Sequence, residues 1–428
     1  MVYGLGILGL GTVGTGVAQI LRHSDHPLLQ AVAIRRVGVR SIDKPRDVDL
    51  APELFTTDLS SIVTDPTVAI VMELMGGLEP ARSLILSAIA HKKHIITANK
   101  AVIAKHGAEI FAAAQAAGVY VLLEAAVGGG IPILMPLRQS LAANRLSGLL
   151  GIINGTTNFI LSQMTFNSMS FEAALALAQD KGYAEADPTA DVDGLDAADK
   201  LAILAEIAFN LQVERDQIPC QGIRSITAAD IRYAAEWGYV IKLLAIAHRH
   251  SDHVLDLRVQ PTLVPRAHPL ASIHQEANAV LVQGDPLGQV MLSGPGAGRG
   301  PTASAVMGDL LTLMAQLETG SQTSGLNPLL SAAPTVTAEL AFTDDLCSEF
   351  YVRVIGLDQT GVIGAIGTCF GSCGVSLEGI TQKACHGEQA EIVILTHTVQ
   401  EKNLRAAITQ LQVMPGIVGI PSVLRVLS

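Results

Sequence analysis

The sequence predicts an α/β protein in three parts: a doubly wound parallel sheet first, a mixed α/β unit second, and a small βαββαβ module last. Three observations carry this expectation. In the first third of the chain, short β-branched runs alternate with Ala- and Leu-rich stretches, the pattern of strands joined by crossover helices. A glycine string, Gly9-Leu10-Gly11-Thr12-Val13-Gly14, stands between the first strand and the first helix. From Phe350 onward the order of apolar runs is strand, helix, strand, strand, helix, strand.

The elements follow in order. Val2–Leu8, Ala31–Val39, Ala69–Leu74, His94–Thr97 and Val119–Glu124 read as strands, and Gly14–Arg22, Pro80–His91 and Ala104–Ala117 as the helices between them. They define a dinucleotide-binding unit over 1–137. The second unit, 138–318, carries strands at Ile153 and Arg258–Leu263 and long helices at Phe171–Lys181, Leu195–Asn210 and Ala228–His248. The stretch 319–346 carries Gly, Ser, Thr and Pro and few aromatics, and reads as a linker long enough to let the parts fold separately. The last part, 347–428, has strands Phe350–Leu357, Val375–Lys383, Glu391–Val399 and Val418–Val426, with helices from Val362 and over Glu401–Leu411, and so predicts a ferredoxin-like module.

Composition agrees with a globular chain. At roughly 150 residues per domain, 428 residues suffice for about three units with a substantial core. Hydrophobic residues make up 49% and charged residues 16%, which excludes disorder. Lys+Arg 28 against Asp+Glu 39 gives a net charge of -11, so general nucleic-acid binding is excluded while local basic pockets are not. A mean hydropathy of +0.40 raises the question of a membrane span. The charge-free stretches are interrupted by Gly, Asn and Ser, so neither a span nor a targeting segment is expected, and the cytoplasm is. The cysteines form no CxxC pair, which suits a reducing compartment.

The glycine string has the strand-to-helix context that a dinucleotide site requires. Gly9 permits the tight turn, Gly11 lets a pyrophosphate approach the backbone, and Gly14 lets helix and strand pack closely. The pyrophosphate would sit at the N-terminus of the following helix, on free N–H groups and the positive dipole end, with Thr12 and Val13 of the string among the cofactor-binding candidates. This is a Rossmann-type arrangement. After the second strand, where NAD sites place an acid, the residue is Arg40, followed by Ser41, Lys44 and Arg46. That leans towards the 2′-phosphate of NADP, while Asp43 leaves NAD open.

Thr97-Ala98-Asn99-Lys100 follows a strand end, the side of a doubly wound sheet that faces ligand, so Lys100 is a candidate for the nicotinamide or the substrate. The densest polar stretch is Gly182–Lys200. Within it Asp196 and Lys200 lie four apart and share a helix face with Leu204 and Ile207. A plain intrahelical ion pair is the other reading of that spacing.

Together with these blocks, Glu73-Leu74-Met75-Gly76-Gly77, Glu124–Pro132, Gly151–Asn158 and Gly294–Ala303 give the whole chain a close resemblance to the homoserine dehydrogenase family. The resemblance implies interconversion of L-aspartate 4-semialdehyde and L-homoserine with a nicotinamide cofactor. It implies that Lys200 and Lys100 handle the proton, that Asp196 orients the substrate hydroxyl or a lysine, that Glu185 and Asp191 bind the substrate, and that Gly298 borders the cofactor. It also implies a monovalent cation, Na or K, held by Glu124 and the carbonyls of Val127, Gly129 and Ile131, although these glycines equally suit a turn against the nicotinamide. Asp358-Gln359-Thr360-Gly361-Val362 resembles the ligand turn of an ACT domain, which implies threonine as an allosteric ligand at Asp358, Gly361 and Val362, or a dimerisation module without one. A homodimer or homotetramer is expected. Another amino-acid or hydroxy-acid dehydrogenase with the same tail, or a non-catalytic sensor, would be the competing identities.

Overall fold

The structure, a computed structural model, describes residues 2–319, 325–331 and 334–427. Its first sheet is formed by β1 (Tyr3–Leu8), β2 (Val32–Gly38), β3 (Phe55–Thr56), β4 (Ile70–Glu73), β5 (His94–Thr97) and β6 (Val121–Leu122). The order is β3-β2-β1-β4-β5-β6, and every pairing is parallel. Leu5, Ile7 and Leu8 are wholly buried, as expected of a central strand covered by helices on both faces. Strand order reverses between β1 and β4, which opens a crevice at their C-terminal ends. The helix after β5 begins at Lys100, four residues before the position read from sequence, because Asn99 accepts a hydrogen bond from Val102 N at 3.3 Å and caps it.

The second sheet begins with β7 (Arg145–Ile152), β8 (Tyr239–Arg249), β9 (Val254–Pro265), β10 (Ala277–Asp285) and β11 (Gly288–Pro295). The expected helix Ala228–His248 is corrected here. It ends at Glu236, Gly238 turns the chain at φ 86°, and the rest is β8, which pairs with β9 along its length. The run from Ile241 to Ala247 is buried throughout, and a strand buried on both faces lacks the alternation that separates strand from helix in sequence.

Two segments bridge the units. The helix Arg299–Glu318, placed by sequence in the second unit, packs Val306, Met307, Leu310 and Leu313 into the same apolar cluster as Leu5, Ile7 and Val17. Within 319–346, Leu330 joins that cluster and accepts a hydrogen bond from Arg138 at 2.8 Å, and β12 (Glu339–Leu340) pairs with β9.

The last part contains β13 (Cys347–Leu357), β14 (Leu377–His386), β15 (Gln389–Thr396), β16 (Val399–Gln400) and β17 (Ile417–Val426), with helices Val362–Ser372 and Glu401–Gln412. Its main strands run β17-β13-β15-β14, all antiparallel, around a core that includes Phe350, Val352, Ile366 and Leu411. Separate folding, expected from the linker, does not describe what is seen. β17 pairs with β9, so one sheet of eleven strands runs through both parts. Arg353 reaches Asp230 at 2.8 Å, and their side chains are 6% and 0% exposed. Among the described residues no helix is long and apolar enough to cross a membrane.

Candidate active site

A cleft of about 300 Å³ opens where the first sheet meets the second unit, with Val13, Gly76, Lys100, Gly129, Lys200 and Ala297 on its walls. On the nucleotide side the glycines are where the fold needs them. Gly9 has φ 98°, and a Cβ on Gly14 would stand 2.2 Å from the Gly9 carbonyl oxygen, so only glycine allows this strand and helix to approach. Around Gly11 there is open space, and no side chain caps the helix Thr12–His23. Its first N–H groups, at Thr12 and Val13, therefore suit a pyrophosphate. Gly298, at φ 113°, caps the helix Arg299–Glu318 beside Ala297, so a second helix begins at the cleft.

Arg40 stands exposed after β2 and makes no side-chain hydrogen bond or ion pair among the described residues. Arg46 is occupied, donating to the carbonyls of Ser41, Ile42 and Lys44 at 2.5, 3.0 and 2.7 Å, and so shapes the loop.

The ends of β4 and β5 are locked together by buried polar groups. Glu73 accepts from Thr97 Oγ1 at 2.8 Å and from Met75 N at 2.9 Å, and Asn99 Nδ2 donates to the Gly77 carbonyl at 2.7 Å. This fixes Lys100 as the first residue of its helix. Facing it, the helix Leu195–Phe209 carries Asp196 in its first turn and Lys200 one turn later. Lys200 Nζ lies 2.6 Å from Asp196 Oδ2, and Lys100 Nζ lies 2.9 Å from Asp196 Oδ1. Lys200 also donates to the Ile153 carbonyl at 2.8 Å. Asn154 completes the cluster, its Nδ2 donating to Asp196 Oδ2 at 2.9 Å and to Asp191 Oδ1 at 2.7 Å, while its Oδ1 caps the helix Gly155–Asn167 by accepting from Thr157 N at 2.8 Å.

Electrostatics follow from this geometry. Burial alone would raise the pKa of Asp196, but Lys200, Lys100 and the hydrogen bonds from Lys200 and Asn154 outweigh it and hold the carboxyl below the usual carboxylate range. The charge of Asp196 raises Lys100, against the opposing effect of burial. Burial pushes Asp191 up, opposed by the Asn154 hydrogen bond and reinforced by the charge of Asp196.

Not every expected residue joins the cluster. Glu185 is exposed, and its side chain has no hydrogen bond or ion pair among the described residues; its main-chain carbonyl accepts from Gln179 Nε2 at 3.0 Å. Glu124 is buried and accepts from Ile133 N at 2.6 Å, Leu134 N at 2.9 Å and Met135 N at 2.7 Å, capping the helix Leu134–Arg138. Burial pushes its pKa up, and those N–H groups pull it down. Beyond Val127, Gly128 and Gly129 have φ of 75° and 57°, and a Cβ on Gly129 would lie 2.3 Å from the Gly296 carbonyl, so this turn to Ile131 packs backbone to backbone. Among the described residues no group of three or more His, Cys, Asp or Glu could hold a metal ion. Asp358, Gly361 and Val362 lie in the last part, where Gly361 (φ 92°) caps the helix beginning at Val362 and Asp358 accepts from Gln382 Nε2 at 2.9 Å.

Sequence reasoning assigned no role to Asn154, to the Ile153 carbonyl or to Glu73. The signal for the first was available: an Asn before Gly-Thr-Thr, where a strand gives way to a helix, is an N-cap pattern.

Known proteins resemble this chain over its whole length. The family model described as homoserine dehydrogenase matches residues 132–311, and that of its NAD binding domain matches 9–124. The chain is 55% identical to a homoserine dehydrogenase of Synechocystis sp. over 99% of both chains. Among solved structures, a homoserine dehydrogenase from Thiobacillus denitrificans superposes with a TM-score of 0.92 at 41% identity, covering 100% of this chain and 99% of that one. A hyperthermophilic archaeal homoserine dehydrogenase in complex with NADPH superposes with a TM-score of 0.63 at 25% identity, covering 74% of this chain and 98% of that one.

Proposed function

Since the chain belongs to the homoserine dehydrogenase family, we propose that Lys200, Lys100 and Asp196 carry the proton chemistry of its reaction, the NAD(P)-dependent interconversion of L-aspartate 4-semialdehyde and L-homoserine. The observation that carries this reading is one buried carboxylate between two lysines on the walls of the cleft. When bound, the nicotinamide supplies the hydride in reduction and takes it in oxidation. As the aldehyde is reduced, negative charge grows on its oxygen, and a positioned cation stabilises it and delivers the proton. Lys200 is suited to this. Two of its N–H groups engage Asp196 and the Ile153 carbonyl, leaving one for the substrate oxygen. Lys100, kept charged by Asp196, adds to the field. In the oxidative direction a neutral Lys200 takes the hydroxyl proton. Asp191 and Glu185 are the carboxylates offered to the substrate ammonium.

NADP is the cofactor we favour, with NAD admitted second, because Arg40 stands free at the end of β2. Glu124 and the main-chain carbonyls of Val127, Gly129 and Ile131 are the groups offered to a monovalent cation; the carboxylate accepts three N–H groups, which leaves it one lone-pair site. The βαββαβ order of the last part supports an ACT domain, with threonine at Asp358, Gly361 and Val362. A homodimer or homotetramer is supported by β11, which among the described residues is an edge strand paired with β10 alone. A cytoplasmic location is supported by the free thiols of Cys220, Cys347, Cys369 and Cys373.

A spectrophotometric assay tests the reading. Homoserine should drive a rise in reduced-nicotinamide absorbance, faster with NADP than with NAD. No homoserine-dependent change with either cofactor contradicts it.

A further inference from the structure

The loop after β2 runs back across the helix Thr12–His23 before the chain enters β3. Val48 and Leu50 anchor it, packed against the apolar cluster that contains Leu5, Val17 and Leu310. Ahead of that anchor, Ser41 to Arg46 form an arch, which Arg46 closes by donating to the carbonyls of Ser41, Ile42 and Lys44. Asp47 joins arch to anchor. From the helix Thr12–His23, Gln19 Nε2 donates to the Asp47 carbonyl at 2.6 Å and to its Oδ2 at 3.3 Å, and Arg22 meets Asp49 Oδ2 at 2.8 Å.

A third hold comes from far along the chain. Arg299 Nη1 donates to Asp47 Oδ2 at 2.8 Å, across 252 positions. The stem of Arg299 rests on the helix Thr12–His23: a Cβ on Gly16 would stand 3.0 Å from Arg299 Cγ and 2.9 Å from Ala303 Cβ, so a side chain there would bar its path. Gly16 lies one turn after Thr12. Arg299 thus links the cleft wall at Ala297 and Gly298 to the loop after β2. Helix stability does not account for this residue. The first turn of the helix Arg299–Glu318 holds no acid, no side chain caps it, and a cation at that end opposes the helix dipole. Nor does the ion pair itself, whose partners are 47% and 75% exposed and so add little to stability.

Charge does account for it. Over 40–49 the cations Arg40, Lys44 and Arg46 stand against the acids Asp43, Asp47 and Asp49, so the loop alone is neutral and attracts a phosphate weakly. Arg22 and Arg299 cancel Asp49 and Asp47 from outside it. Three cations are then left against Asp43 alone. We propose that Arg299 is a specificity-determining residue for the cofactor: by cancelling the Asp47 carboxylate it keeps the loop after β2 positive, and so favours the 2′-phosphate of NADP over the bare ribose of NAD. The inference rests on the reading that this loop, with Arg40, receives the 2′-phosphate. Arg299 acts on the loop and not on the reacting atoms.

Binding of NADPH and NADH to the full chain, followed by nicotinamide fluorescence, tests this apart from turnover. Arg299→Met keeps an unbranched stem on Gly16 and removes the charge. It should weaken NADPH about threefold or more, change NADH less, and show a smaller difference as salt is raised. Arg299→Lys should keep the parental ratio of the two Kd values. Asp47→Asn should move that ratio the other way, in favour of NADPH, and combined with Arg299→Met should bring it back near the parental value. Arg40→Asp is the control for the loop. If it changes the ratio and Arg299→Met does not, the inference fails and the phosphate reading stands; if neither changes it, both fail. A loss of NADPH affinity with Asp47→Asn equal to that with Arg299→Met also overturns the proposal, since the pair would then be a structural clasp.

Discussion

Asp196 is held between lysines from two different units, Lys200 at 2.6 Å on one carboxylate oxygen and Lys100 at 2.9 Å on the other. The site is complete only where the two units meet. Asp196→Asn should leave both ammonium groups without their counter-charge in a poorly solvated cleft. We expect turnover to fall by about a hundredfold or more while NADP binding, measured by fluorescence, is retained. Turnover within a few-fold of the parent would show that the pair is structural.

The same carboxylate gives a pH dependence of stability. Its pKa is depressed in the folded state, so its contribution is fully present above the unfolded value of about 3.9 and is lost as pH falls through the folded one. Asp196→Asn should therefore lower Tm at pH 7 and have a shrinking effect as pH drops below about 4. A difference in Tm that does not change over that range would contradict the assignment.

Glu206 carries the opposite sign. Burial, with Glu214 nearby, pushes its pKa to about 7. Between about 4.3 and that value the folded state keeps a proton the unfolded chain has released, so stability declines as pH rises. Glu206→Gln should raise Tm at pH 8, with the gain fading towards pH 5. A gain of equal size at both would point to packing rather than ionisation.

Arg40→Asp should move preference from NADP towards NAD, because it removes a cation from the place of the 2′-phosphate and installs a ribose acceptor. Unchanged relative kcat/KM for the two cofactors would place the phosphate elsewhere.

Arg353 and Asp230 tie the C-terminal part to the helix Ala228–Glu236 of the second unit. Arg353→Met leaves a buried carboxylate unpaired and should cost about 3–5 kcal/mol, read from denaturant unfolding. For the same reason, removing the chain from Leu346 onward should give an insoluble or unfolded product, since it strips β17 from β9 as well. A truncated chain that folds and turns over normally would refute this coupling.

How far the sequence was legible depended on whether a signal was local. The strand β5 was readable to the residue, and Asp196 with Lys200 emerged from a spacing of four on one helix face. What escaped was set by distant packing. β8 is buried on both faces and so read as helix, and the Arg299–Glu318 helix shows its partner only when Val306 and Leu310 are seen against Leu5 and Val17. Asn154 was visible as part of a motif, but its bond to Asp196 spans 42 positions and no periodicity reports it. The pairing of β17 with β9 was equally silent, because a stretch with Gly, Ser, Thr and Pro and few aromatics looks like a tether whether or not the parts it joins are packed together.

The central claim, that Lys200 moves the proton, is tested most directly by the kinetics of Lys200→Met. The change keeps an unbranched side chain of similar length and removes the ammonium. With homoserine and NADP at saturation, kcat should fall by roughly a hundredfold to ten-thousandfold while the Kd for NADP stays within a few-fold of the parent. A folded variant that retains near-parental kcat, or one whose loss lies wholly in cofactor affinity, would contradict the account.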